Sequence, residues 1–131
     1  MIDTSALVAA LVADHEHHAM ARAHLSAAGS IPAIVLSETF SQLRRTFGQS
    51  ADAAATMLAP WTKDPGRILP TTVSAVTTIF TRARELDLGG SIHDALIAQV
   101  CIEHGLVLTT LDARQHRLAL ALGGGSAYLL A

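Results

Sequence analysis

The sequence predicts an α/β fold in which a small parallel sheet is covered by helices on both faces. Short apolar stretches alternate with segments whose apolar residues recur at helical spacing. Single Gly and Pro residues separate these segments, and no internal repeat or low-complexity tract interrupts them. Alternation of strands with helices is typical of parallel sheets, because each crossover carries a helix back over the sheet.

The predicted elements follow one another along the chain. Strands are expected at residues 1–3, 31–35, 67–70, 106–109 and 127–130. Helices are expected at residues 5–12, 16–28, 36–47, 51–61, 72–86, 95–101 and 112–122. Gly29 is expected to end the second helix with a left-handed cap, and Gly48 and Gly105 are expected to end the third and sixth helices. The prediction is one domain over residues 1–131, with four to five strands and about seven helices.

Three helices have informative faces. The third carries Glu38, Gln42 and Arg45 opposite its apolar residues. The sixth is apolar almost all round, which is typical of a helix at the centre of a domain, and its lone Cys101 is expected in the core. The expected buried stripe of the fifth helix consists of Val76, Ile79, Phe80 and Ala83.

Composition restricts the class of protein. Half of the residues are apolar and only 15% are charged, a globular composition with an apolar excess. The uncharged apolar stretches are far shorter than the roughly 18 residues of a membrane span, and the N-terminus lacks the basic region of a signal peptide. We therefore predict a cytoplasmic protein without a membrane segment. Apolar residues such as Leu7, Val8, Leu11 and Val12 predict a surface covered by a second copy or a partner peptide.

The formal net charge of −2 argues against a strongly basic nucleic-acid binder. The net charge is negative only because of four acids, Asp3, Glu38, Asp94 and Asp112. The rest of the chain carries seven acids and nine bases. Eight of the nine bases are Arg, and several occur in pairs on predicted helices. The pairs are Arg44 with Arg45, Arg82 with Arg84, and Arg114 with Arg117. They either supply forks for phosphate groups or simply solubilise helix faces.

Four acidic residues lie at or near predicted helix N-termini, and each has a structural explanation when taken alone. Asp3 and Asp112 could be helix N-caps. Asp94 could close a capping box with Ser91. Glu38 could favour the positive end of its helix.

The combination of these acids predicts chemistry. At least three follow strands that run parallel in one sheet, and the ends of parallel strands meet at one edge. Clustered carboxylates raise one another's pKa unless a cation compensates, and Mg²⁺ or Mn²⁺ prefers oxygen ligands. Such an ion lowers the pKa of water and holds phosphate oxygens. The sequence therefore predicts metal-dependent phosphodiester hydrolysis, with a non-catalytic binding module as the alternative.

Other polar residues accompany the acids. Ser5, Thr109 and Thr110 either orient a carboxylate or the attacking water, or cap helices. We expect Thr110 and Arg114 to contact the substrate. The His-Glu-His-His run at residues 15–18 lacks Cys partners and tetrahedral spacing, so we interpret it as a helix start rather than a zinc site.

The segments around the acids resemble one family. The chain opens with Met-Ile-Asp-Thr-Ser-Ala-Leu-Val, and Ser37-Glu38 lies on the third helix. His93-Asp-Ala-Leu-Ile-Ala follows in the middle and Leu108-Thr-Thr-Leu-Asp-Ala-Arg near the end. In this order, and over essentially the whole chain, the sequence resembles the PIN-domain nucleases, specifically the VapC-type toxins of bacterial toxin–antitoxin systems.

The resemblance implies a three-layer α/β/α fold, Mg²⁺- or Mn²⁺-dependent endoribonuclease activity on RNA, a homodimer and a cognate VapB-type antitoxin. Ser5 would be the supporting hydroxyl. The residues that would bind the metal are Asp3, Glu38, Asp94 and Asp112. Many relatives carry a further acid three or four residues after the position of Asp112, where this chain has Gln115 and His116. This departure leaves open whether one or two ions bind, and makes His116 a candidate ligand or phosphate contact.

Rival functions are left open by the sequence. A housekeeping PIN nuclease of RNA maturation would need no antitoxin. A binding module would use the acids only as caps. A phosphotransfer or haloacid-dehalogenase-like domain would need a lysine near its Asp, whereas the single lysine, Lys63, lies in a predicted loop.

Overall fold

The computed structural model describes residues 1–25, 29–86 and 92–131, and these ranges contain seven α-helices and four short strands. The helices are α1 (Thr4–Leu11), α2 (His18–Ala23), α3 (Ala33–Arg45), α4 (Ala51–Thr62), α5 (Val73–Leu86), α6 (Ile92–Glu103) and α7 (Ala113–Ala121). The strands are β1 (Ile31–Pro32), β2 (Ile68–Leu69), β3 (Leu108–Thr110) and β4 (Ser126–Tyr128). The predicted α/β class is therefore confirmed.

The strands are parallel, as predicted, but they form two small sheets instead of one. β1 pairs with β2, and β3 pairs with β4. Ile2 makes an isolated parallel bridge to Thr109, and the Asp3 N–H donates to the Thr109 carbonyl at 3.0 Å. The predicted first strand is thus reduced to a single bridge. This bridge is nevertheless what brings Asp3 beside the end of β3.

The predicted strand at residues 31–35 is wrong beyond its first two residues, because the chain becomes helical at Ala33. Pro32 has a φ of −65°, which suits a helix start, and it has no N–H to leave unpaired. Val35 is fully buried on the helix that follows. Packing therefore outweighs the strand preference of the Ile34-Val35 pair.

Helix ends were predicted with mixed success. Gly48 and Gly105 follow α3 and α6, as predicted, and their φ values of 64° and 63° are left-handed. The helix predicted at residues 16–28 is described only as His18–Ala23, and residues 26–28 lie outside the described part of the chain.

Helix α6 lies at the centre of the core and packs against α3, α5 and α7. Its buried residues are Ala95, Leu96, Ile97, Ala98, Val100 and Cys101. The core position predicted for Cys101 is confirmed, with 2% of the residue exposed. No helix in the described ranges combines the length and apolarity that crossing a membrane requires.

The apolar surface is not where the sequence placed it. Leu7 and Val8 are buried within the chain, because α1 packs against both α2 and α3. Phe80, expected in the buried stripe of α5, is instead 63% exposed. Ile79 is the residue of that turn that is buried in the core. Phe80 is the next residue and therefore points about 100° away around the helix. Phe80 and Val73, seven residues apart, give α5 an exposed apolar face.

Candidate active site

The four predicted carboxylates line one small cavity of about 150 Å³. The segment beside β3 contributes Asp3, helix α3 contributes Glu38, and the first turn of α6 contributes Asp94. Asp112 precedes α7. The complete lining is Asp3, Thr4, Ser5, Glu38, Gln42, Asp94, Ile97 and Asp112. Four distant parts of the chain thus place their acids around one space.

Asp3 is the most deeply buried of the four acids, with 3% of the residue exposed. Its Oδ1 accepts the Ala6 N–H at 2.9 Å and the Ser5 hydroxyl at 2.8 Å. Its Oδ2 accepts the Thr110 hydroxyl at 2.5 Å. Asp3 is therefore the N-cap of α1, as one interpretation predicted, but both of its oxygens are also fixed by hydroxyls that capping does not require.

The hydroxyls of Ser5 and Thr110 form a small network 3.3 Å apart. Ser5 Oγ also accepts the Leu111 N–H, and Thr110 Oγ1 accepts the Asp112 N–H at 2.9 Å. Thr110 has no exposed surface, so the prediction that it contacts the substrate is wrong. Its hydroxyl orients Asp3 instead, which was the other interpretation of the hydroxyls near the acids.

Asp112 and Glu38 differ in how they are placed. Asp112 is the N-cap of α7, and its Oδ1 accepts the Arg114 N–H at 2.8 Å. Glu38 lies in the second turn of α3, whose first turn contains no acid, so the helix-dipole explanation for Glu38 is wrong. The Thr4 hydroxyl donates to Glu38 Oε1 at 2.7 Å and holds it at the cavity.

Asp94 is anchored through its backbone. The Gln115 side-chain amide donates to the Asp94 carbonyl at 3.1 Å, which ties α7 to the first turn of α6. Gln115 is 2% exposed. The predicted capping box involves Ser91, which lies outside the described residues.

Gln115 and His116, the two positions at which the sequence departs from the expected family pattern, do not line the cavity. Gln115 faces the start of α6, as described above. His116 lies with Nδ1 2.9 Å from Ser126 Oγ and stacks on Tyr128, with ring centroids 5.6 Å apart. The suggestion that His116 is a ligand is therefore corrected, since its ring is engaged by β4.

Burial raises the pKa of two of the acids. Desolvation raises the pKa of Asp3 to about 6, although the hydrogen bonds from Thr110, Ala6 and Ser5 oppose this, and the charge of Asp112 adds to it. Desolvation also raises the pKa of Asp94. The charges of Glu38 and Asp112 raise it further, while Arg114 and His93 act in the opposite direction. The acids are thus close enough to repel one another.

Little positive charge compensates this repulsion. Across residues 1–25, 29–86 and 92–131, no Lys or Arg forms an ion pair with any of the four carboxylates. The nearest cationic group is His93, whose Nδ1 lies 3.9 Å from Glu38 Oε2 and which is charged only when protonated. Arg114 is exposed and acts on Asp94 through its charge; its predicted contact with substrate stays a prediction.

The donor set fits a hard divalent cation, because it consists of carboxylate oxygens in excess of the local positive charge. Within the described residues no three His, Cys, Asp or Glu side chains already stand at ligand positions around one point. Mg²⁺ does not require that, since it keeps several waters and commonly uses one or two carboxylates. The cavity is therefore suited to a partly hydrated ion rather than to a closed protein cage.

The histidine run at residues 15–18 makes local contacts. His18 Nδ1 lies 2.9 Å from the Ala9 carbonyl, and His15 Nδ1 accepts the His17 N–H at 3.1 Å. These contacts join the run to α1 and to itself, in agreement with its interpretation as a helix start.

Two polar residues of the cavity, Thr4 and Gln42, and the apolar Ile97 were not predicted as part of the site. Gln42 had a signal in the sequence, because it follows Glu38 by four residues and so shares its helix face. Thr4 had a weaker one, its position next to Asp3. Its partner Glu38 is 34 residues away, and no local pattern connects the two.

Comparison with known proteins gives a family and a fold. A family model described as PIN domain matches residues 1–120. A solved structure of FitAB bound to an IR36 DNA fragment has a similar fold, with a TM-score of 0.69 over 99% of this chain and 94% of that chain. The two are 16% identical in sequence, so this likeness concerns the fold alone. No curated protein matches.

The raised pKa of Asp3 predicts a pH-dependent stability of the metal-free protein. The folded protein holds this proton with a pKa of about 6, against an ordinary value of 3.8. The folded state therefore binds more protons than the unfolded state between these values, and the free energy of unfolding falls as the pH rises through them. The loss assigned to Asp3 is on the order of 2–3 kcal/mol.

Denaturant unfolding in EDTA, from about pH 4 to about pH 7, measures this loss. Asp3→Asn keeps a good N-cap but removes the titrating group, so its stability should fall less over the same range. Equal pH dependence in the wild type and in Asp3→Asn would contradict the assignment.

Proposed function

Because the chain belongs to the PIN-domain family, we propose that it is an Mg²⁺- or Mn²⁺-dependent endoribonuclease that binds its metal through the carboxylates of the shared cavity. These metal ligands are Asp3, Glu38, Asp94 and Asp112. The observation that carries the proposal is the convergence of four acids on a cavity where no described Lys or Arg forms an ion pair with them. Helix capping explains two of these acids locally but does not explain why all four meet.

A bound divalent ion supplies a water of lowered pKa and neutralises charge on phosphate oxygens. The chain's own residues prepare the ligands. Ser5 and Thr110 fix both oxygens of Asp3, and Thr4 fixes Glu38. Such outer contacts set the direction of these two carboxylates before any ion or substrate arrives.

The proposed reaction is hydrolysis by water. The water oxygen bonds to phosphorus, the bond from phosphorus to the 3′ oxygen breaks, and the products are a 5′-phosphate and a 3′-hydroxyl that takes up the proton. Protein nucleophiles are poorly placed for this role. The hydroxyls of Thr4 and Ser5 donate to Glu38 and Asp3, and burial raises the pKa of the Cys101 thiol to about 12.

We further propose that the nuclease acts in the cytoplasm as the toxin of a toxin–antitoxin pair, held inactive by a VapB-type antitoxin. The support is the resemblance of the Asp-Thr-Ser opening and the Asp94-Ala-Leu-Ile-Ala run to VapC-type toxins. A housekeeping nuclease of RNA maturation is the rival. Growth arrest on expression and a small antitoxin gene alongside would favour the toxin, and their joint absence would favour the rival.

The homodimer implied by the resemblance has a candidate surface on α5. Val73 is 81% exposed and Phe80 is 63% exposed on the same face of that helix. Burying such a face against a second copy removes apolar area from water. Light scattering should therefore find a dimer that Phe80→Ser weakens. A wild-type chain that stays monomeric at high concentration would contradict this.

The catalytic proposal predicts that Asp94→Asn is inactive but folded. Purified wild-type protein should cleave structured RNA with Mn²⁺ or Mg²⁺, and EDTA should stop cleavage. Asp94→Asn should lower the rate by about 100-fold or more, because a metal-binding carboxylate is lost. The measurement is gel-resolved cleavage with end-group analysis of the products.

Asp52→Asn is the matched control. Asp52 also lies in the first turn of a helix, α4, but it is exposed and does not line the carboxylate cavity. It should cleave like the wild type. Undiminished cleavage by Asp94→Asn would overturn the mechanism.

A further inference from the structure

We infer that Gln115 is a positioning residue, which holds Asp94 and Asp112 at a fixed separation although it does not line the carboxylate cavity. The inference rests on the proposed function, since these two acids are among the proposed metal ligands. Gln115 contacts both of them. Its backbone N–H donates to Asp112 Oδ1 at 3.4 Å, and its side-chain amide donates to the Asp94 carbonyl at 3.1 Å. One residue thus connects the N-cap of α7 with the first turn of α6.

Asp94 is the acid whose direction depends most on its own backbone. Hydroxyl groups donate to Asp3 and to Glu38, and Asp112 accepts N–H groups of the helix that it caps. In the part of the chain that the structure describes, no group donates a hydrogen bond to the Asp94 carboxylate. The bond from Gln115 to the Asp94 carbonyl therefore fixes this carboxylate indirectly, by holding the helix turn that carries it.

The orientation of the Gln115 amide follows from its partner. A backbone carbonyl can only accept, so the amide atom that faces Asp94 is the nitrogen, and the oxygen Oε1 points elsewhere. Gln115 is 2% exposed, and its Oε1 is buried without a hydrogen-bond partner in residues 1–25, 29–86 and 92–131. Turning the amide over would set two acceptors against each other and lose the bond to Asp94. The amide thus keeps this bond while its oxygen stays unsatisfied.

Stability does not explain a glutamine at this position. An acceptor that is buried without a partner destabilises the folded protein. The Asp94 carbonyl does not need the bond either, because a carbonyl inside an α-helix accepts the N–H four residues later, here that of Ala98. An apolar side chain of the same length would fill the space and leave no polar atom unsatisfied. The amide is explained instead by the helix turn that its bond holds in place.

The two acids that Gln115 connects repel each other. The negative charge of Asp112 raises the pKa of Asp94, so the two carboxylates interact across the cavity. Each acid is carried by the N-terminal end of one helix, and a bond between α7 and α6 opposes the separation of these ends. Gln115 therefore maintains the spacing of two proposed ligands without being a ligand. Partners of this kind commonly change metal affinity by about 10- to 100-fold.

Gln115→Met tests the inference, because it removes the amide at nearly constant length and volume. Calorimetric titration of the metal-free variant with Mn²⁺ should give an affinity about tenfold weaker than that of the wild type, since the first turn of α6 is no longer held. The midpoint of denaturant unfolding should be unchanged or higher, since the unsatisfied oxygen is removed as well. A merely structural residue would give the reverse pattern, lower stability with unchanged affinity, and that result would overturn the inference.

Thr39→Val is the matched control. Thr39 lies on α3 directly after Glu38 and is fully buried, and its hydroxyl also lacks a hydrogen-bond partner among the described residues. Valine has nearly the same shape, so this variant too removes an unsatisfied polar atom from the core. Its Mn²⁺ affinity should equal that of the wild type. Equal weakening by Thr39→Val and Gln115→Met would show a general response to core changes and would contradict a specific role for Gln115.

RNA cleavage separates a positioning residue from a ligand. The Gln115→Met protein should need about tenfold more Mn²⁺ to reach half of its maximal rate, and this rate should approach that of the wild type at saturating Mn²⁺. Asp94→Asn should stay inactive at every Mn²⁺ concentration. A Gln115→Met protein that is still inactive at saturating Mn²⁺ would contradict the positioning role.

Hydrogen exchange tests the inference without an ion. In the metal-free protein, the backbone amides of residues 95–98 in α6 should exchange about fivefold faster in Gln115→Met than in the wild type, the effect of one lost hydrogen bond. Gln115→Leu takes the place of Gln115→Met in all three measurements if the methionine variant does not fold. Unchanged exchange at residues 95–98 would show that Gln115 does not hold this turn and would overturn the inference.

The failures of the two proposals are distinguishable. Faster exchange in Gln115→Met, with no binding of Mn²⁺ by the wild type, would keep the positioning of Asp94 and reject the metal-dependent nuclease. Cleavage that Asp94→Asn abolishes, with the same Mn²⁺ affinity in the wild type and in Gln115→Met, would keep the nuclease and reject the role of Gln115.

Discussion

Negative charge in a poorly solvated cavity is the constraint that the rest of this structure accommodates. Asp3 lies almost completely buried, and desolvation is the largest influence on its pKa and on that of Asp94. Neutral donors satisfy its oxygens without removing its charge. Carboxylates that ionise together in a poorly solvated cavity destabilise the folded protein. Stability alone therefore does not explain why these acids are clustered. Unfavourable electrostatics of this kind are typical of functional sites, where a bound ligand relieves them.

The scaffold converts a short backbone pairing into a defined site. The bridge between Ile2 and Thr109 brings Asp3 against Thr110, and Thr110 in turn accepts the N–H of Asp112. One hydroxyl thus couples the N-cap of α1 to the N-cap of α7. Gln115 then links α7 to the first turn of α6. The acids are positioned by interactions that reach from element to element rather than by any one loop.

Much of the site could be predicted from local rules, and the rest could not. Asp3 and Asp112 follow short extended segments and cap helices, so their shared location follows from parallel pairing. Glu38 does not obey that rule. It lies in the second turn of α3 and its contact with Thr4 spans 34 residues, so the sequence pointed to it only through an assumed helix-end position and the family resemblance. Phe80 shows the opposite error. The predicted buried stripe of α5 included Phe80, but its ring is exposed in the structure.

The central claim, that the four carboxylates form a divalent-ion site, is tested most directly by titrating the metal-free protein with Mn²⁺ in a calorimeter. The account predicts binding at micromolar to low millimolar concentrations, with protons released when Asp3 ionises near its raised pKa of about 6. Replacing Asp3 by Asn should weaken binding and reduce the release. Acids that served only as helix caps would bind no ion in this range, and a flat titration of the wild-type protein would contradict the account.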